Sequence, residues 1–248
     1  MRTYIVYLFG IMMMMAGSCS VQRLQVTERK SNFELIDHQQ AVDTPMNQWL
    51  LSYRKGMDSS MNIVIGRSSV PLSKAKPECT LGNFMADAQL EKALQYNPHT
   101  QVSVLNYGGI RIPYLSPGEI TRGKLFELMP FDNKLVIMEL PGKVLLELCN
   151  HIAAAGGWPV AGLQFQIKNK SAIGVLVAGN PLNEQVIYTV ALSDYLAQGG
   201  DRCDFLIGNR HRDYNVFIRD LLIDYILELK NQGKTLAPQL ENRISYAE

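Results

Sequence analysis

The chain has 248 residues, 47% of them hydrophobic and 19% charged, with a net charge of +1. That composition suits a globular protein with room for one large domain or two small ones. The near-neutral balance excludes a polybasic footprint for nucleic acid or an anionic membrane surface. The short run Arg210, His211, Arg212 reads as a solvated face.

The first stretch, MRTYIVYLFGIMMMMAGSC, joins Arg2 to an apolar run from Tyr4 to Ala16 and small residues before Cys19. The run falls short of the ~20 residues that span a bilayer, so residues 1–19 read as a secretory signal. Ala16-Gly17-Ser18-Cys19 resembles a bacterial lipobox, in which the cysteine is lipidated, although Ala16 stands where an aliphatic residue is usual. A plainly cleaved signal with a chance cysteine is the alternative. The expectation is a protein of the bacterial cell envelope, periplasmic or an outer-membrane lipoprotein anchored through Cys19. Residues 20–45 are polar and weakly periodic and read as a tether or an edge strand leading into the domain.

Pro45 then allows a helix through MNQWLLSYRKGM that stops near Gly56. MNIVIG is a short strand. CTLGNFMADAQLEKALQYNP is a helix with Thr80 as candidate cap, Leu81, Phe84, Met85 and Ala88 at helical spacing, and a stop at Asn97-Pro98. QVSVLN is a strand, TRGKLFELM a short helix, and KLVIMEL a continuous apolar strand. PGKVLLELCNHIAAAGG opens on proline and carries Val144, Leu145, Leu148 and Ile152 on one face. GLQFQIK, GVLVAG and QVIYTVALS are strands. NVFIRDLLIDYILELKNQG is the last helix, with Asn215 as cap. The irregular alternation favours an α+β fold, a mixed sheet with flanking helices, as one domain over residues 46–248.

Three stretches offer chemistry. NYGGIR (106–111) supplies Asn106, glycines Gly108 and Gly109 suited to positive φ or a backbone anion nest, and the guanidinium of Arg111. A plain turn whose arginine pairs with a surface carboxylate is the competing reading. MPFDN (129–133) puts Phe131 on a turn beside Asp132 and Asn133, either a buried phenylalanine or a face for stacking a base. SDYLAQGGD (193–201) offers Tyr195 and, past Gly199-Gly200, Asp201. An ionised carboxylate only accepts, and so suits paired hydroxyls, but Asp201 also suits an Asx turn.

Other machinery is missing from the sequence. It has no GxSxG elbow, P-loop or GxGxxG. His38, His99, His151 and His211 are scattered, with no convergent two-metal ligand set. Past Cys19, the cysteines Cys79, Cys149 and Cys203 show no zinc-like spacing. Cys149 falls in an amphipathic pattern as a buried filler, and a Cys79–Cys203 disulfide is compatible with export.

In order along the chain, CTLGNFMADA, NYGGIR, GEITRGKLFELMPFDNKLVIMELPGKVL and YTVALSDYLAQGGD resemble the C-terminal domain of the 5′-nucleotidase / UDP-sugar hydrolase family. The resemblance runs from about residue 48 to the end. It implies a substrate-binding domain that in the family works with an N-terminal metallophosphoesterase domain holding two divalent metals. By resemblance Asn106 and Arg111 contact the nucleotide, Phe131 and Tyr195 clamp the base, and Asp201 binds the ribose hydroxyls. Gly108, Gly109 and Asn133 complete the expected substrate-binding set. Tyr107 replaces the first of three family glycines and is placed to crowd or line the loop. Arg202 stands where glycine is common, and Lys74 and Lys76 are the cations upstream of the LGN block. The resemblance implies a nucleotide-binding chain with no cofactor of its own, partnered in trans by a metallophosphoesterase chain carrying Mn- or Zn-type ions. A non-enzymatic nucleotide- or nucleoside-binding envelope lipoprotein is the alternative.

Overall fold

The computed structural model describes residues 43–248, so the leader, Cys19 and most of the tether lie outside the described residues. Helix α1 (Thr44–Met61) comes first, with none of its residues buried. It passes through Gly56, where the sequence pattern ends it. A single glycine costs an exposed helix only ~1 kcal/mol, too little to stop it. Residues Gln48–Glu248 form one unit.

The central sheet has five strands in the spatial order β12 (His211–Phe217), β6 (Lys134–Pro141), β11 (Ile187–Ser193), β3 (Val102–Val104), β7 (Val160–Ala161). β11 and β3 run parallel, and the other neighbours antiparallel. β6 explains its own unbroken apolar sequence. Leu135 and Ile137 face one core, shared with α2 (Thr80–Tyr96), α3 (Arg122–Leu128) and α6 (Ile218–Asn231). Val136, Met138 and Leu140 face a second core with α4 (Gly142–Ala154). A strand buried on both faces has no polar alternation to show. Each such fully buried side chain stabilises the fold by ~1.5–3 kcal/mol.

On its other side α4 packs against a second sheet, in the order β10 (Asn180–Pro181), β9 (Ser171–Val177), β8 (Leu163–Lys168), β13 (Ile244–Tyr246). Here one face meets solvent, and β8 alternates strictly: Leu163, Phe165 and Ile167 buried, Gln164, Gln166 and Lys168 exposed. Two short antiparallel pairs, β1 (Val64–Ser68) with β5 (Gly118–Thr121) and β2 (Leu72–Ser73) with β4 (Tyr114–Leu115), complete the strands. The expected α+β mixed-sheet fold is what forms.

Several local expectations shift. Cys79, not Thr80, caps α2: its sulfur accepts from the Gly82 N–H, while the Thr80 hydroxyl accepts from Ser73. Asn215 is no cap, because the chain continues as edge strand β12 to Phe217 and α6 begins only at Ile218. Cys79, Cys149 and Cys203 are all free thiols in the core, so the Cys79–Cys203 disulfide does not form. One buried polar group fixes the frame of the site: Gln89 of α2 donates to Ser103 Oγ on β3 (2.9 Å) and to the Ala191 carbonyl on β11 (3.1 Å).

Candidate functional site

β3 and β11 are parallel neighbours, so their carboxyl ends finish together, and antiparallel β6 starts at the same end. Ligand crevices in open sheets form outside such strand ends. The loop after β3 carries Asn106 to Arg111, and the turn before β6 carries Phe131 to Asn133. After β11 come the single turn α5 (Asp194–Ala197) and Asp201. These three segments enclose a cavity of about 270 Å³ lined by Asn106, Gly108, Gly109, Arg111, Phe131, Asn133, Tyr195 and Asp201. Every residue that the sequence offers for the substrate site is on that wall. The volume sits just under the ~300–1,000 Å³ usual for small-ligand pockets.

The polar side is a tight network. Asn106, only 8% exposed, donates from Nδ2 to Asp201 Oδ2 at 2.7 Å. The Tyr195 hydroxyl donates to Asp201 Oδ1 at 2.9 Å and accepts from the Asp201 N–H at 3.1 Å. That N–H pulls the phenol pKa down. The carboxylate it donates to, together with desolvation, outweighs this, leaving the pKa above the ordinary tyrosine value. The Asx-turn reading of Asp201 therefore does not hold: its oxygens reach across the cavity wall. Asp201 and Arg202 take left-handed backbone (φ 52° and 65°) after Gly199 (φ 90°). Gly200 is obligatory for a different reason, since a Cβ there would lie 2.5 Å from the Tyr195 ring.

The apolar side is two open aromatic faces. Phe131 and Tyr195 are 39% and 43% exposed, so neither is core filling. Arg111 lies against Phe131, its Cζ 5.5 Å from the ring centroid, and among the described residues no carboxylate is within ion-pair distance of it. That removes the surface-pair reading of Arg111.

The NYGGIR loop works differently from its sequence expectation. Tyr107–Gly109 form a 3₁₀ turn with no positive φ, so successive amides do not alternate into a nest. A side chain at Gly109 would be crowded, since a Cβ would stand 3.1 Å from Asn106 Oδ1 and that amide would have to give by a few tenths of an ångström. Tyr107 does not line the cavity. Two ammonium groups lie over its ring, Lys74 Nζ at 4.2 Å and Lys76 Nζ at 4.7 Å from the centroid. Lys74 also donates to the Ile110 carbonyl at 2.7 Å. Burial first, then the Arg111 charge, lower the Lys74 pKa.

Arg219 carries no motif that marks it in the sequence. Buried at the start of α6, it donates to the carbonyls of Met129 and Phe131 (3.3 Å each) and to Asp132 Oδ1 (2.7 Å), and stacks over Phe126 at 4.0 Å. It thereby holds the turn that presents Phe131. The available signal is a cation on the same helical stripe as Leu222, Ile223 and Ile226. Asp194 adds a second brace, accepting from the N–H groups of Lys134 and Tyr195.

Among the described residues no group of three or more His, Cys, Asp or Glu side chains is placed to hold a metal ion. Asp201 is the one carboxylate lining the cavity, and its neighbours are amides, a guanidinium and aromatic rings. These residues do not fit a divalent cation.

The chain is 28% identical over 87% of its length to the trifunctional nucleotide phosphoesterase protein YfkN of Bacillus subtilis, covering 16% of that protein. It is 25% identical over 73% of its length to a 5′-nucleotidase of Vibrio vulnificus, covering 33% of it. The crystal structure of a 5′-nucleotidase precursor from Thermus thermophilus superposes with a TM-score of 0.71 at 31% identity, covering 83% of this chain and 44% of that one. The chain thus spans less than half the length of these relatives. The model of the family "5′-nucleotidase, C-terminal domain" matches residues 64–207, more than half of the chain, and the chain belongs to that family.

Proposed function

We propose that the cavity binds a nucleoside or nucleotide as the substrate half of a 5′-nucleotidase-like phosphohydrolase whose metal-bearing half is a separate metallophosphoesterase chain. The observation that carries this reading is the convergence of two half-open aromatic faces, a braced carboxylate and an arginine free of ion pairs among the described residues on one cavity of nucleoside size. A base stacks between Phe131 and Tyr195, at ~1–3 kcal/mol for a base–aromatic contact. The ribose hydroxyls donate to Asp201, whose position Asn106 and Tyr195 hold in advance. Arg111 meets the phosphate, with Lys74 behind it. The Arg111 charge repels the Lys74 ammonium, and a phosphate bound beside them relieves that repulsion. Hydrolysis itself falls to the Mn- or Zn-type ions of the partner chain, and no step of it is assigned to residues here. We further propose that the chain is exported and held at the envelope by lipid on Cys19.

Calorimetry with adenosine, AMP and UMP tests binding. Micromolar to millimolar affinity that Phe131→Ala abolishes is the expected result, and absence of heat with all three overturns the reading. Phosphate release from AMP by the metallophosphoesterase chain with Mn²⁺, with and without this chain, tests the division of labour. A rate unchanged by this chain leaves a binding protein without turnover.

A further inference from the structure

Each oxygen of the Asp201 carboxylate already carries a protein donor. The Tyr195 hydroxyl donates to Oδ1 at 2.9 Å, and Asn106 Nδ2 donates to Oδ2 at 2.7 Å. The direction of the first bond is fixed by a second one. The same phenol oxygen accepts the Asp201 N–H at 3.1 Å, so its single proton goes to the carboxylate and not to a ligand. Neither partner has much freedom to turn away. Gly200 packs so closely on the tyrosine ring that a Cβ there would lie 2.5 Å from Cε1 and Cζ. Asp201 itself sits in left-handed backbone at φ 52°. Tyr195 therefore meets the cavity twice. Its open ring is a stacking face, and its tip occupies one side of the carboxylate that faces the sugar.

We infer that the Tyr195 hydroxyl sets the sugar specificity of the site, and that the cavity accepts 2′-deoxynucleosides and their phosphates nearly as well as ribonucleosides. The inference rests on the nucleoside reading above, in which the ribose hydroxyls meet Asp201. A site rejects a ligand that lacks a hydroxyl, by as much as ~10⁴-fold, when the missing group leaves a buried acceptor unpaired. Asp201 is not in that position. Without the 2′ hydroxyl, Oδ1 and Oδ2 still hold the protons of Tyr195 and Asn106, and the residue is exposed to water. The gain from a hydroxyl is reduced for the same reason. An oxygen that already accepts one hydrogen bond has one lone pair and less charge left for the next donor. Phenylalanine at position 195 would keep the stacking face and strip Oδ1 of its protein donor. The ribose hydroxyl would then be the donor that completes the carboxylate, and its loss would be felt.

Calorimetry on the full chain with adenosine and 2′-deoxyadenosine, for the wild type and Tyr195→Phe, tests this. The two wild-type affinities should agree within about threefold. Tyr195→Phe should widen the ratio to about tenfold in favour of adenosine, the scale of one charge-assisted hydrogen bond. Both ligands carry the same base, so a change in stacking weakens them alike and leaves the ratio untouched. A wild-type preference for adenosine of more than about threefold overturns the role given to the hydroxyl, and so does a ratio that Tyr195→Phe leaves unchanged. In either case adenosine still binds and the nucleoside reading stands. No heat from either nucleoside with the wild type overturns that reading and this one with it.

Discussion

Arg219→Met separates the brace of the site from the site itself. The methionine keeps much of the stem volume and removes the guanidinium. Three hydrogen bonds go: to the Met129 and Phe131 carbonyls at 3.3 Å and to Asp132 at 2.7 Å. The two carbonyl bonds are worth ~1 kcal/mol each net. The Asp132 pair adds only ~0.5 kcal/mol, because that carboxylate is largely solvated. Contact with the Phe126 face contributes ~1 kcal/mol. Against this, Arg219 is a desolvated cation whose Nε has no partner among the described residues, and losing it returns ~1 kcal/mol. The net loss is ~2–3 kcal/mol, or a Tm lower by ~5–10 °C for a domain of this size. Since the lost bonds anchor the Pro130–Asp132 turn, affinity for adenosine should also fall about tenfold, measured by calorimetry well below the unfolding transition. Arg219→Lys keeps the charge without the fork and should fall between. Hydrogen exchange across residues 130–133 gives a reading independent of any ligand. Native-like exchange there together with wild-type affinity in Arg219→Met would refute the bracing role.

The other predictions concern the opposite wall and the buried thiols. Gly200→Ala sets a Cβ 2.5 Å from the Tyr195 ring, so overpacking should cost ~1–3 kcal/mol and displace the ring; a wild-type urea midpoint and unchanged Tyr195 NMR shifts would contradict it. Asp201→Asn keeps a residue that tolerates left-handed backbone, so stability should move by less than ~1 kcal/mol while adenosine affinity drops at least tenfold; 2′,3′-dideoxyadenosine, lacking the hydroxyls, should not distinguish the two proteins. Burial pushes the Cys149 and Cys203 thiols from the ordinary 9.0 up to about 12. Folded pKa values above the unfolded ones give stability that is complete below pH 9 and is lost as pH rises from 9 through 12. Each tenfold gain in a thiol's proton affinity on folding is worth up to ~1.4 kcal/mol. Urea midpoints should therefore fall above pH 9, with a shallower slope in Cys149→Ala/Cys203→Ala; equal slopes in both proteins would count against it.

What can be read in the sequence is local. Asn106, Phe131 and Tyr195 each sit within three residues of a strand end, and Asp201 follows the Gly199-Gly200 turn after the same strand as Tyr195; such ends announce themselves by a switch from apolar runs to turn residues. Three such switches in a known order are enough to place the cavity wall. The helix-start errors at Thr80 and Asn215 share one cause, tertiary override of a local signal. Asn215 looks like a cap, but its segment pairs with β6 through a register shift and so extends as strand. Cys79 does a serine's capping work because it is buried beside Gly82, where a thiol is tolerated. Gly108 and Gly109 stand out in the sequence, but positive φ is not the reason. What crowds a side chain at Gly109 is the folded-back Asn106 amide, a contact between residues that no pattern of backbone conformation predicts.

The contacts that give the site its chemistry are less legible, because they are long-range. Asn106 meets Asp201 across nearly half of the domain's sequence, and Arg219 reaches back to the Phe131 turn from the last helix. Tyr107 makes the point most sharply. In the sequence it stands next to Gly108 and Gly109 and threatens to fill the cavity they line. In the fold its ring is absent from the cavity wall and lies under the ammonium groups of Lys74 and Lys76, from a segment about thirty residues upstream. The bulky residue therefore does not close the site. It gathers two ammonium groups behind the loop, with Lys74 bonded to the Ile110 carbonyl next to Arg111. Lys74 and Lys76 thus add their charge to that of Arg111, and a glycine at position 107 would leave those two lysines without an aromatic face. A residue that does not line the cavity thereby gathers positive charge behind its wall.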